Sequence, residues 1–242
     1  MAETKRIGLS LGADICWPRC FEGILKRWDP TLRVGGEDVR FEVDRVTIEP
    51  FDLRGPTKYD VVLDRLTHWY ANTREWIKKG VLMDGLYVLN NPWSVQSMEK
   101  QTSYCAMMRL GMPIPDTWLV PPKEYEEQPD LQRTLENYAR FFDLDELGAK
   151  VGYPHFMKPY DGGGWVGVSK IDDAEQLKAA YEESGKFVMH LQHGVLPHDH
   201  FVRCVAIGPD VRIVEYDPSA PLHERYTADH DHLGAADTLR LR

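Results

Sequence analysis

Three features are scarce or missing in this sequence, and each excludes a class of protein. No run of about 18 apolar residues occurs, so the chain predicts no membrane-spanning helix. The N-terminal stretch MAETKRIGLSLGAD starts charged and has only a short apolar run, which is not typical of a secretory signal. Only four cysteines occur, and their uneven spacing is typical of reduced thiols. We therefore expect a cytoplasmic protein that has no membrane partner.

Basic residues are in the minority. The chain has 29 Lys and Arg against 38 Asp and Glu, a formal net charge of −9 at pH 7. The densest basic stretch, residues 74–79, is interrupted by Glu75, Trp76 and Ile77. Because nucleic-acid binding needs a local excess of positive charge to meet the phosphates, we expect no nucleic-acid partner.

Residues 1–92 alternate between strand-like and helix-like patterns. Short apolar or alternating runs predict strands over 6–12, 40–48, 59–66 and 86–89. Apolar residues at helical spacing predict helices over 17–28 and 73–79. Because strands that alternate with helices favour a parallel sheet, we expect a small α/β domain here.

The remainder of the chain mixes both element types. A long helix is predicted over 94–111, with Ser94 or Ser97 as its N-cap and an apolar face of Met98, Cys105, Met108 and Leu110. Further helices are predicted over 131–150, with a break near Asp143, and over 173–183. Strands are predicted over 117–120, 155–158, 166–171, 187–192, 201–207 and 211–216. The fold class is therefore α/β (α+β).

A glycine loop carries the strongest local signal for chemistry. Lys158 ends a predicted strand, and Gly162, Gly163 and Gly164 follow it. Consecutive glycines leave backbone N–H groups unshielded, so several of them can bind a polyphosphate, and a lysine beside the loop adds positive charge. The alternative is a flexible hairpin with an incidental lysine. The P-loop pattern GxxxxGK[ST] is absent.

A series of motifs across residues 59–216 resembles the ATP-grasp superfamily. In chain order they are YDVVLDR at 59–65, NNPWSVQSMEKQT at 90–102, LGMPIPDT at 110–117, Lys158 with its glycine loop, VMHLQHGV at 188–195 and FVRCVAIG at 201–208. The last motif resembles the branch that contains glutathione synthetase and the ribosomal-protein glutamate ligase. The resemblance implies a Rossmann-like pre-ATP-grasp domain at 1–92, a helix and linker at 93–118, and an incomplete ATP-grasp domain at 119–242.

The resemblance also implies roles for single residues. Lys100 and Lys158 would contact the phosphates of ATP, and the three loop glycines would cover them. The backbone from Gln192 through His193 to Val195 would bind the adenine, Asp199 would hold the ribose, and Arg203 would be catalytic. The family commonly has glutamate where this chain has His193, and aspartate where it has Phe201. The implied cofactors are ATP and Mg²⁺, and the implied substrate is a small-molecule or peptide carboxylate. A homodimer is the assembly we consider.

The metal ligands of the family have no counterpart in the sequence. ATP-grasp enzymes hold magnesium with acidic and Asn residues on strands near the domain's C-terminal end, and no strand with an E-x-N pair follows Tyr216. The acidic residues left there are Asp217, Glu224, Asp229 and Asp231. Three explanations are open: the chain is part of a longer enzyme, its metal binding is unconventional, or its activity has been lost. We favour the first.

Three functions stay open at this point. The first is an ATP-dependent carboxylate–amine or carboxylate–thiol ligase that works through an acyl phosphate. The second is a nucleotide-binding module without catalysis. The third is a histidine-rich metal-binding protein, suggested by the His-x-His pairs at 198–200 and 230–232 and by Cys16 and Cys20. A polar strand edge followed by a solvated tail explains those histidines more simply.

Overall fold

The computed structural model describes residues 3–14, 16–66, 70–93, 99–198, 201–207, 209–221 and 223–227. Within these ranges the chain forms six helices and twelve strands. They belong to two compact units: residues 1–114 together with 159–166, and residues 115–158 together with 167–242. None of the helices in the described ranges is long and apolar enough to cross a membrane.

The first unit is built on a five-stranded sheet with the order β2-β3-β1-β4-β5. Its strands are β1 (Glu3–Ser10), β2 (Leu32–Val34), β3 (Glu37–Arg45), β4 (Val61–Asp64) and β5 (Tyr87–Leu89). Its helices are α1 (Trp17–Trp28), α2 (Ala71–Asp84) and α3 (Lys100–Arg109). All neighbouring strands run parallel except β2, which is antiparallel to β3. The predicted α/β arrangement of this part of the chain is confirmed.

In the core of the first unit, two side chains pack directly against a glycine of the sheet. Tyr59, Val62, Ile77 and Leu86 form the buried cluster between the sheet and α2. At Gly8 in β1, a Cβ atom would lie 2.8 Å from Val46 and 2.9 Å from Tyr59, so these side chains rest directly on the strand backbone. Each fully buried large apolar side chain, such as that of Ile77, contributes about 1.5–3 kcal/mol to folding.

The second unit contains two sheets. The larger has the order β6-β9-β7-β8, and the smaller has the order β10-β11-β12. The strands are β6 (Thr117–Val120), β7 (His155–Pro159), β8 (Ser169–Ile171), β9 (Met189–His193), β10 (Val202–Ile207), β11 (Asp210–Tyr216) and β12 (Tyr226–Thr227). The helices are α4 (Leu131–Tyr138), α5 (Leu144–Val151) and α6 (Ala174–Ser184). The strands predicted over 201–207 and 211–216 are confirmed as β10 and β11, which pair antiparallel.

Local chemistry explains where the helices of the second unit begin. The carboxylate of Asp143 accepts hydrogen bonds from the backbone N–H groups of Asp145 and Glu146, and Asp173 accepts one from Gln176. Both aspartates therefore act as N-caps. The helix predicted over 131–150 is interrupted near Asp143, as expected.

Several predictions of local structure are wrong. The predicted apolar face of α3 is not a core face, because Cys105, Met108 and Leu110 are all exposed and the helix buries none of its described residues. The strand predicted from residue 166 begins at Ser169, because Trp165 and Gly167 have positive φ angles that a strand does not allow. The short strands β2 and β12 were not expected. Ser94, Ser97 and Met98 lie outside the described residues.

Candidate functional site

Lys100 and the glycine loop lie together in the first unit. The Nζ atom of Lys100 donates to the carbonyl oxygens of Pro159 at 2.8 Å, Asp161 at 2.8 Å and Gly162 at 3.1 Å. The backbone N–H of Lys100 also donates to the carbonyl of Tyr160 at 3.0 Å. Lys100, the first residue of α3, therefore binds the carbonyl side of the loop along its whole first half.

This arrangement also determines where the loop amides point. In a trans peptide unit the C=O and N–H bonds are antiparallel. Because the carbonyls of Pro159, Asp161 and Gly162 point at Lys100, the N–H groups that follow them, on Tyr160, Gly162 and Gly163, point away from it. The loop carbonyls therefore converge on Lys100, and these three N–H groups lie on the opposite side of their peptide units.

Two of the three loop glycines are required by their backbone conformation, and none is required by a lack of space for a side chain. Gly162 and Gly164 have φ angles of 80° and 67°, in the left-handed region. At Gly162, Gly163 and Gly164 an added Cβ atom would have no neighbour within 4 Å. Trp165 shares the left-handed conformation with φ of 66°, which is unfavourable for a residue with a side chain. The loop is therefore open to approach from outside.

Lys158 lies in the second unit, in a chain of hydrogen bonds across three strands. Its Nζ atom donates to Oε1 of Gln192 at 2.5 Å. Nε2 of Gln192 donates to Oγ1 of Thr117 at 2.7 Å, and that hydroxyl donates to the carbonyl of Pro115 at 2.8 Å. Because β9 lies between β6 and β7, these side chains meet on neighbouring strands. Lys158 and Gln192, predicted separately, are thus direct partners.

The predicted adenine segment at the end of β9 is fixed by its own backbone. The N–H of His193 donates to the carbonyl of Asp116 at 2.9 Å, and the N–H of Gly194 donates to that of Pro154 at 3.0 Å. Nδ1 of His193 lies 3.0 Å from the carbonyl oxygen of Val151. Gly194 has no room for a side chain, since a Cβ atom would lie 2.7 Å from the Pro154 oxygen. Val195 follows with an exposed side chain.

The strand β7, which lies next to β9, carries a buried histidine. His155 on β7 is fully buried, stacks on Tyr153 with ring centroids 4.9 Å apart, and places Nδ1 3.1 Å from the Gly152 carbonyl. Its Nε2 atom has no hydrogen-bond partner among the described residues. Burial lowers the pKa of His155, and nearby His193 lowers it further, whereas the contact with Gly152 opposes both. Burial therefore disfavours the charged form of this ring.

Arg203 is held by aromatic rings. Its guanidinium carbon lies 4.0 Å from the centre of the Tyr216 ring and 5.5 Å from that of Tyr226. Nη1 of Arg203 donates to the Tyr226 hydroxyl at 2.7 Å. These contacts join β10 to β11 and β12, so the arginine has a clear structural use in the small sheet. Its catalytic role stays a prediction, and Asp199 lies outside the described residues.

One ionic pair that the sequence reasoning missed lies in the first unit. Nε and Nη2 of Arg65 donate to Oδ1 of Asp14 at 3.3 and 3.2 Å, and Nε1 of Trp17 donates to the same oxygen at 2.9 Å. Burial alone raises the pKa of Asp14, but the bond from Trp17 and the charge of Arg65 outweigh it and lower the pKa overall. The two residues follow β1 and β4, which are parallel neighbours. Ligands of open α/β sheets bind at the carboxyl ends of the strands. The position of these two residues just after predicted strands was therefore a signal in the sequence that could have found them.

A metal centre is not found in the described part of the chain. No group of three or more His, Cys, Asp or Glu side chains there is arranged to hold a metal ion. Asp217 instead accepts hydrogen bonds from the backbone N–H and the hydroxyl of Ser219 at 2.8 and 2.6 Å. His200, His230, His232, Asp229 and Asp231 lie outside the described residues.

The chain is similar to known proteins in both sequence and structure. No protein-family model matches the chain. The D-alanine–D-alanine ligase of Streptomyces griseus is 24% identical over 150 residues, which cover 60% of this chain and 36% of the ligase. The chain spans about a third of the length of the curated relatives it matches.

Two solved structures are similar over nearly the whole chain. The RimK domain protein ATP-grasp of Sphaerobacter thermophilus has a TM-score of 0.62 at 14% identity, covering 98% of this chain and 79% of that one. The D-alanyl-alanine synthetase A of Vibrio cholerae has a TM-score of 0.59 at 14% identity, covering 100% of this chain and 78% of that one. The chain therefore has the ATP-grasp fold, as its motifs predicted.

Proposed function

We propose that this chain binds ATP and belongs to an ATP-dependent ligase that joins a carboxylate to an amine or a thiol. The observation that carries the proposal is the two-sided glycine loop, whose carbonyls bind Lys100 while the N–H groups of Tyr160, Gly162 and Gly163 point away from it. The three loop glycines have open space around them, so these N–H groups are accessible to a polyphosphate. The ATP-grasp fold and the similarity to D-alanine–D-alanine ligases support the same proposal.

The roles of the nucleotide-binding residues follow from the resemblance and from these contacts. The resemblance assigns the phosphates to Lys100, Lys158 and the loop. Because the ammonium of Lys100 donates to three loop carbonyls, we propose that Lys100 holds the loop in place and that Lys158 and the loop amides bind the phosphates. We assign the adenine to the backbone of residues 192–195. Because the N–H groups of His193 and Gly194 are already bonded within the chain, Val195 is the residue of this segment that we expect to bond the base. Asp199 remains our candidate for the ribose.

The reaction we propose has two steps. A carboxylate oxygen of the substrate attacks the γ-phosphorus of ATP, which releases ADP and leaves an acyl phosphate. An amine or thiol then attacks the acyl carbon, and phosphate leaves as the amide or thioester forms. In both steps the protein holds reactants and offsets negative charge, and no covalent protein nucleophile is needed.

The substrate carboxylate has a candidate anchor in the first unit. Arg65 uses two of its nitrogens on Asp14 and has an exposed side chain, so further N–H donors face solvent. We propose that these donors bind the carboxylate and that Asp14 orients the guanidinium. Arg203 is our candidate for a catalytic arginine, as in the branch of glutathione synthetase and the ribosomal-protein glutamate ligase.

Metal, location and assembly complete the proposal. Mg²⁺ is expected with ATP, but the described residues do not offer a ligand set for it, so no step of the reaction is assigned to the metal. The four cysteines are all free thiols, which supports a cytoplasmic location. A homodimer, and a small-molecule or peptide carboxylate as substrate, are likewise proposed.

A coupled assay for ADP release tests the ligase. The purified chain is given ATP, Mg²⁺ and pairs drawn from a panel of amino acids, hydroxy acids and short peptides. Release of ADP that requires both a carboxylate and an amine or thiol supports the ligase. Tight ATP binding without any substrate-dependent ADP release is the result expected of the second candidate, a nucleotide-binding module without catalysis. Among the described residues no group of three metal ligands occurs, which agrees with that candidate.

A further inference from the structure

A pocket lies in the first unit, and none of its lining residues belongs to the glycine loop. It has a volume of about 290 Å³ and is formed by the segment between β3 and β4 and by the first turns of α2. This volume is at the lower end of the range of about 300–1,000 Å³ found for small-molecule pockets, so only a compact ligand would fit. None of the residues to which we have assigned ATP, the carboxylate or catalysis lines it.

One buried hydroxyl of this pocket lacks a hydrogen-bond partner among the described residues. It belongs to Thr73, which is 4% exposed and lines the pocket. A buried hydroxyl without a partner is destabilising, so native proteins rarely keep one without a reason. A polar ligand atom in the pocket would supply the missing partner.

The start of α2 adds a preference for negative charge. Thr73 and Asn72 belong to the first turn of this helix, whose N-cap residue Tyr70 makes no side-chain capping bond. No acidic residue occupies the first turn. The N–H groups of a helix start attract anions. Lys58 on the same pocket wall adds positive charge, and its ammonium also lies 3.6 Å from the carboxylate of Asp44.

The pocket walls are held in place before any ligand binds. The ammonium of Lys79, which is almost fully buried, donates to the Gly55 carbonyl at 2.5 Å and to Oδ2 of Asp84 at 2.6 Å. The same carboxylate accepts the N–H of Thr57 at 3.0 Å, which ties the loop to the end of α2. Trp76 packs edge to face on Tyr59 with centroids 6.0 Å apart. A ligand would therefore enter a preformed site.

We propose that this pocket binds a free α-amino acid with an apolar side chain. Thr73, Asn72 and Lys58 would receive the carboxylate, and Glu49, which also lines the pocket, would receive the ammonium group. Phe51 and Trp76 give the apolar wall for the side chain. The pairing of one cation and one anion with an apolar wall fits a zwitterion better than a singly charged ligand.

The test is titration calorimetry with L-leucine and L-phenylalanine on the full chain. Thr73→Val removes the hydroxyl and keeps the shape, and Glu49→Gln removes one charge at an exposed position. Thr134→Val, an exposed threonine on α4, is the matched control. We expect saturable binding that weakens about tenfold in both pocket variants, the usual scale for a hydrogen bond to a charged group, and is unchanged in the control. A thermal melt checks that each variant is folded.

Three results would overturn the proposal. One is the absence of saturable binding by the unaltered chain at millimolar amino acid. Another is equal affinity for N-acetyl-leucine or leucinamide, each of which lacks one of the two charges. The third is binding that survives Thr73→Val and is lost in Arg65→Ala, which would assign the amino acid to the substrate anchor instead.

Discussion

Nζ of Lys158 and Oε1 of Gln192 lie 2.5 Å apart, so the lysine at the end of β7 is bound to the strand that leads into the proposed adenine segment. The amide of Gln192 is itself oriented by Thr117. A carboxylate in place of this amide would bring a negative charge next to the ammonium group of Lys158.

Gln192→Glu should therefore weaken ATP binding. The new carboxylate would pair with Lys158 and repel the phosphates, and we expect a loss of about 1.5–3 kcal/mol, the scale of a charged hydrogen bond. Glu146→Gln, an exposed change on α5, serves as the control because it alters charge away from the strand. Calorimetric titration with ATP measures both. An unchanged affinity in Gln192→Glu would separate Lys158 from nucleotide binding.

The glycine loop offers a matched pair of substitutions. Gly164→Ala places a side chain at φ 67°, which costs about 1–2 kcal/mol, whereas Gly163→Ala meets open space without a positive φ. We expect ATP affinity to fall in Gly164→Ala and to stay within about twofold in Gly163→Ala, since a tenfold change requires about 1.4 kcal/mol. Equal losses in both variants would mean that the loop needs space at residue 163 instead of a particular backbone conformation.

Loop order should change when nucleotide binds. We expect hydrogen exchange at the amides of Gly162 and Gly163 to slow in saturating ATP, because these N–H groups point away from Lys100 and would donate to the phosphates. The amide of Lys100, already bonded to Tyr160, is the internal reference. Exchange at the two glycines that is indifferent to ATP would favour a simple hairpin.

Arg65 should affect the carboxylate substrate and not the nucleotide. In Arg65→Ala we expect KM for the carboxylate to rise about ten- to hundredfold, in line with about 1.5–3 kcal/mol for a charged hydrogen bond, while ATP affinity is unchanged. Arg40→Ala, an exposed arginine on β3 of the same sheet, is the control. The measurements are steady-state ADP release and ATP titration. A fall in ATP affinity without a change in KM would contradict the assignment.

His155 should make stability depend on mildly acidic pH. Its pKa in the folded chain lies below the usual 6.5, so below pH 6.5 the unfolded chain binds a proton that the folded chain does not. The free energy of unfolding should therefore decrease as the pH is lowered below 6.5, by at most about 1.4 kcal/mol per pH unit. Denaturant titrations at pH 7.5 and 5.5 should show a smaller fall in His155→Asn than in the exposed control His223→Asn. The same fall in both variants would show that another group is responsible.

The sequence predicted those elements whose determinants are local. Helix α1 has the predicted bounds, and the break before α5 and the cap of α6 follow from the aspartates at 143 and 173. A capping carboxylate and helical spacing act over a few residues, so they can be read without the fold. The lysine and glycine loop were found in the same way.

What depends on distant partners could not be predicted. Apolar residues at helical spacing marked a face of α3 as core, but whether a second layer covers that face is decided elsewhere in the chain. Asp14 and Arg65 are separated by 51 residues and meet only because β1 and β4 are parallel neighbours. Whether the hydroxyl of Thr73 has a hydrogen-bond partner likewise depends on the packing around α2.

The most direct test of the proposed nucleotide site is an ATP titration, with Mg²⁺ present, of the unaltered chain, Lys158→Ala and Lys170→Ala. Lys170 is an exposed lysine on β8 of the same sheet, so its removal matches the loss of charge without touching the Gln192 contact. We predict saturable ATP binding that weakens by about 1.5–3 kcal/mol in Lys158→Ala and is retained in Lys170→Ala. Equal ATP affinity in all three proteins, or no ATP binding by the unaltered chain, would contradict it.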